Sequence, residues 1–128
     1  MNYYLSRKVG LDFDAAAARL IEALKVEGFG VLTDIDIAAT LKQKLGVDFR
    51  KYRILGACNP PLAHKALTAE DKIGVMLPCN VIVQELAQGD VELAAIDPRA
   101  AMRQVGNSAL IAVAEEVAER LARALQAV

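Results

Sequence analysis

The stretch from Cys79 to Ile96 constrains the fold most. Cys79 to Leu86 and Val91 to Ile96 both read as strands, and Ala87-Gln88-Gly89-Asp90 between them is too short for a crossover connection. The two strands must therefore pair antiparallel, which argues against a doubly wound parallel sheet.

The remaining segments interleave strands with helices around that hairpin. Tyr3, Leu5 and Val9 alternate with Tyr4, Ser6 and Lys8, the period of a strand with one wet face. Asp12 and Asp14 offer N-cap carboxylates to a helix over residues 13–27 carrying Phe13, Ala17, Leu20 and Leu24, with Gly28 as its stop. Phe29 to Ile37 returns to strand chemistry, and Asp36 caps a short helix with Leu41 and Leu45 that ends at Gly46. Tyr52 to Ala57, nearly all apolar, is expected as an inner strand covered on both faces. Asn59-Pro60-Pro61 and Asp97-Pro98 each place a capping residue before a helix-starting proline, predicting helices from Pro60 to about Leu67 and from Pro98 to near Gly106. Asn107 caps the last helix, whose stripe of Leu110, Val113, Val117, Leu121 and Leu125 faces a core, while Glu116 with Arg120 and Glu119 with Arg123 pair on the wet side. With no repeat or linker, residues 1–128 read as one α+β domain: two layers, a mixed, largely antiparallel sheet, and helices on one face.

Composition limits the partners. Of 128 residues 55% are hydrophobic, so a bare sheet face would be apolar, and a twofold homodimer is the expected cover. A net charge of -1 supplies no basic field for a phosphate backbone, which excludes nucleic acid. Charges interrupt every apolar run before membrane-spanning length. The first nine residues, with Asn2, Ser6, Arg7 and Lys8, hold no signal-peptide core, so a cytoplasmic chain starting at its mature N-terminus is expected.

Most motifs have bland explanations. Gly28-Phe29-Gly30 closes a helix and opens a strand, the reverse of a phosphate-binding loop. Asp34 and Asp36 share a strand face but alternate with apolar residues, and Asp36 has a capping role. Lys42, Lys44 and the run Arg50-Lys51-Tyr52-Arg53, the only local excess of positive charge, fit the steering of an anionic ligand and a solvated face equally well. The richer constellation is a repeated Cys-Asn pair, Cys58-Asn59 and Cys79-Asn80, with His64 behind the first. Cys58, beside the N-terminal donors of a helix, is expected to be the more reactive thiol. Strand ends at one sheet edge would bring Cys58, Cys79 and His64 together as ligands for a soft metal such as zinc, although a closed zinc site needs four ligands. The plainer alternative packs both thiols as small apolar groups, with Asn59 and Asn80 satisfying backbone.

Glu27-Gly28-Phe29-Gly30-Val31-Leu32, Thr40-Leu41-Lys42, Tyr52 through His64, Leu77-Pro78-Cys79-Asn80 and Ala95-Ile96-Asp97-Pro98 together resemble the domain of unknown function 302 family. The resemblance covers about Gly28 to Leu125. It implies a small bacterial or archaeal α/β domain similar to members that associate as dimers, and it implies no activity. Three functions stay open: a dimeric module binding a metal or small ligand through Cys58, Asn59, His64, Cys79 and Asn80; a thiol enzyme with Cys58 as nucleophile and His64 as base; and an interaction protein with inert cysteines.

Overall fold

The computed structural model describes residues 2–128; Met1, the expected mature start, lies outside them. The chain runs β1 (Tyr4–Val9), α1 (Phe13–Val26), β2 (Gly30–Asp36), α2 (Ile37–Leu45), β3 (Tyr52–Cys58), α3 (Pro60–Ala69), β4 (Cys79–Glu85), β5 (Val91–Ile96), α4 (Pro98–Arg103) and α5 (Ile111–Gln126). The five strands form one sheet in the order β1-β5-β4-β3-β2. Every pairing is antiparallel, so the sheet lacks the parallel element of the expected mixed sheet. The fold class is α+β, as the sequence indicates.

The capping chemistry explains the helix starts. Asp12, Asp36, Asn59 and Asp97 each accept a backbone N–H in the first turn of the following helix. Asp14 lies inside the first turn of α1, where its charge complements the helix dipole. Asn107 caps a short 3₁₀ turn, Ser108–Leu110, that leads into α5. A second 3₁₀ segment, Asp71–Met76, follows α3 and has no strong periodic signal in the sequence.

Register divides the sheet into two unlike faces. Leu5, Ala95, Val81 and Leu55 are successive cross-strand partners, as are Val83 and Leu93; apart from half-buried Leu5 they are buried under α1 and α5. Leu20, Leu24, Phe29, Leu121 and Leu125 complete this core. The opposite face carries Tyr4, Ser6, Lys8, Ile82, Gln84, Glu92 and Ala94, none of them buried. The expectation that β3 is covered on both faces is therefore corrected. It is an inner strand, but Tyr52 and Ile54 on its outer face stay half-exposed because the helices pack on one side only. The face left open is also less apolar than expected, since polar residues alternate into it.

One expected ion pair at the periphery changes. α2 buries no residue, although it is capped at Asp36 and ends at Gly46 in the left-handed region. Arg120 pairs with Glu116 as the helix spacing predicts, at 3.0 Å. Arg123 instead reaches across to Glu27 at 3.0 Å, tying α5 to the end of α1.

Candidate functional site

The antiparallel pairing of β3 with β4 puts Ala57 opposite Cys79, so Cys58 and Cys79 occupy neighbouring positions at one end of the sheet. Both line a small cavity of about 40 Å³ whose other walls include Phe29, Leu62, Pro78, Met102 and Val117. Each sulfur is a free thiol and each residue is partly buried. Burial pushes the Cys79 thiol up to about 11, and the proximity of Cys58 pushes in the same direction. At neutral pH Cys79 is thus a protonated thiol in an apolar wall. Its ionisation requires something that compensates the lost hydration, such as a cation.

The size of the cavity limits what enters. A water needs on the order of 10–15 Å³ of such space, whereas organic ligands occupy sites of roughly 300–1,000 Å³. About 40 Å³ accommodates an ion or a few atoms and excludes a substrate-sized molecule.

Of the other three candidate residues, Asn59 lines the cavity while His64 and Asn80 lie elsewhere. Asn59 is 9% exposed and its amide is committed at both ends: Oδ1 accepts from Leu62 N at 3.4 Å, and Nδ2 donates to the Glu27 carbonyl at 3.3 Å. It lines the cavity but serves the backbone. His64 does not line the cavity, a correction to the expected Cys58, Cys79 and His64 trio. Leu62 and Ala66 turn toward the core, and His64, two residues from each along α3, is exposed on the far side of the helix. Among the described residues no three His, Cys, Asp or Glu side chains are arranged to hold a metal ion. Asn80 follows Cys79 in β4, and strand alternation sends it to the open face, where it lines a different cleft.

The acidic motifs are structural. Asp36 accepts from Ala39 N at 2.9 Å. Asp34 forms a two-point ion pair with Arg53, and the Arg53 hydrogen bond holds its carboxyl below the usual carboxylate range. Asp97 is buried and receives Arg99 Nε at 3.0 Å, Nη2 at 2.9 Å and the Arg99 backbone N–H at 3.0 Å. That guanidinium bond chiefly lowers the Asp97 pKa.

Sequence reasoning missed the apolar half of the site. Pro98, Met102 and Val117 come from α4 and α5, whose residues carry only a packing signal. It also missed a polar row on the open face: Arg50 Nε donates to Gln84 at 2.9 Å, and Gln84 Nε2 donates to Glu92 at 2.8 Å. Period-two alternation places Gln84 and Glu92 on that face, a signal present in the sequence.

The family model of the domain of unknown function DUF302 matches residues 5–128. The structure is similar to the crystal structure of an uncharacterised conserved DUF302 protein from Bacillus stearothermophilus, with 30% identity, a TM-score of 0.92 and 98% of each chain covered. No curated protein matches the chain.

Proposed function

The chain belongs to the DUF302 family, whose function is unknown, and from that premise we propose that it is a binding module for a soft monovalent metal ion held between Cys58 and Cys79. The observation that carries this reading is that Cys58 and Cys79, at neighbouring positions across β3 and β4, both line an apolar cavity of ion size. With His64 outside the cavity, the ligand set falls short of the four that a closed zinc site needs. Thiolates favour Cu(I), which two sulfurs can hold without further protein ligands. Binding would displace the Cys79 proton, so affinity should rise with pH. A reducing cytoplasm keeps such a thiol pair available.

The test is an anaerobic titration of the chain with Cu(I) against a chromophoric chelator. One equivalent should bind, Cys58→Ser and Cys79→Ser should each lose it, and His64→Ala should match the parent chain. Retention of the metal by either serine variant overturns the reading.

A homodimer belongs to the same proposal, but its interface is expected at the β2 edge rather than on the open sheet face. Among the described residues β2 has an unpaired side, and Leu32 and Ile35 on it and Leu45, Val47 and Phe49 just after it in sequence are exposed. Light scattering should give twice the 13.7 kDa chain mass at micromolar concentration; the chain mass itself removes the dimer.

A further inference from the structure

We propose that the open face of the sheet holds a second site, independent of the cysteines, for a planar aromatic anion whose ring stacks on Tyr52 and whose charge meets Arg50. A cleft of about 480 Å³ lies there, within the roughly 300–1,000 Å³ of small-molecule sites. Its floor is the row Ile82 and Ala94, partners in register across β4 and β5. Tyr52 stands at one end of it and Tyr4 at the other.

Arg50 is set in advance for an anion. Its guanidinium carbon lies 4.4 Å from the Phe49 ring centre and 5.5 Å from that of Tyr52. Its Nε is fixed by Gln84 at 2.9 Å. Among the described residues no carboxylate bonds its two terminal nitrogens, which leaves the planar fork that suits a carboxylate or phosphate. Holding the side chain in place before binding reduces the entropy that the ligand must overcome. Glu92, the nearest acid in this row, accepts from Gln84 and stands opposite Lys8 in register, which offsets its repulsion.

The chemistry also sets the size of the occupant. A chain of net charge -1 has no basic track for a nucleic-acid backbone, so the ligand is a single small molecule. A second copy of the chain is disfavoured because Lys8, Glu92 and Gln84 would have to be dehydrated across the middle of the contact.

The experiment is calorimetric titration of the intact protein with two probes, adenosine 5′-monophosphate and 4-hydroxybenzoate, and with inorganic phosphate as the ring-free control. One of the two ring probes should bind; a phosphate anion or a carboxylate is distinguished by which one does. Arg50→Ala should weaken that binding at least tenfold and Tyr52→Leu severalfold, with melting temperatures within a degree or two of the parent, since Arg50 is exposed. Cys58→Ser should bind like the parent, which separates this site from the metal site. Absence of binding by both probes at millimolar concentration, equal binding of inorganic phosphate, or binding unchanged in Arg50→Ala overturns the proposal.

Discussion

The amide of Asn59 stands where a side chain on Gly28 would have to go: a β-carbon built on Gly28 falls 2.9 Å from Asn59 Nδ2. Gly28 has φ of +87°, so the turn that ends α1 also makes room for the residue that starts α3. The same Asn59 nitrogen bonds the Glu27 carbonyl, which also accepts from Arg120 Nη1 at 3.2 Å. One helix end thereby locates the strand end that carries Cys58.

Gly28→Ala should destabilise the protein by about 2–3 kcal/mol. Left-handed backbone costs a side-chain-bearing residue roughly 1–2 kcal/mol, and displacing the Asn59 cap costs about 1 kcal/mol more. Thermal denaturation compared with Asn59→Ala checks it, because the double variant should lose less than the sum of the singles if the two residues act on one contact.

Leu121 is fully buried in the α5 stripe, and Leu121→Ala should cost about 2–5 kcal/mol through lost burial and the cavity left behind. Leu121→Asp adds the desolvation of a carboxylate and should abolish folding. Circular dichroism melts read both, and an unchanged melting temperature in either variant contradicts the packing of α5 on the sheet.

Cys79 should make stability fall in alkaline solution. Its native pKa of about 11 lies above the ordinary value near 9, so the native state holds a proton that the unfolded chain releases. Its contribution is fully present below about pH 9 and is lost as pH rises through about 11. Chemical denaturation from pH 8 to 11 should show a steeper decline in the parent chain than in Cys79→Ala. Alkylation of native protein at pH 7 should accordingly leave Cys79 largely unmodified.

Asp97 and Asp34 govern the acid side with the opposite sign. Their native pKa values are lowered, first by their arginine hydrogen bonds, so their contributions are present above about pH 4 and disappear as pH falls through the lowered values. Asp97→Asn should flatten the acid branch of the stability curve more than Asp34→Asn, because Asp34 is more exposed and its pair is screened by solvent. Equal flattening by the two variants would show that burial of the Asp97 carboxylate adds nothing to its ion pair.

Much of the fold was legible because local rules and tertiary structure agree. The Asp36, Asn59 and Asp97 caps, the α5 stripe and the hairpin from Cys79 to Ile96 each carry a signal within a few residues. Strand order was not legible: β1 closes on β5 through contacts between distant parts of the chain, which no local period encodes. The candidate site divides the same way. Strand ends bring Cys58 and Cys79 together as their sequence positions suggest, whereas helical phase turns His64 outward and strand alternation sends Asn80 to the opposite face. Both of those rules are readable in the sequence, and they outweigh the chemical attraction of a three-ligand cluster. The sequence leaves Arg50 open between anion steering and a solvated charge run, because its fixing by Gln84 depends on pairing between β3 and β4.

X-ray absorption at the copper edge of the Cu(I)-loaded chain tests the central claim most directly. The expected result is a two-coordinate ion with sulfur scatterers alone, unchanged in His64→Ala and lost in Cys79→Ser. A nitrogen scatterer from imidazole, or a chain that retains no copper through gel filtration, would contradict it.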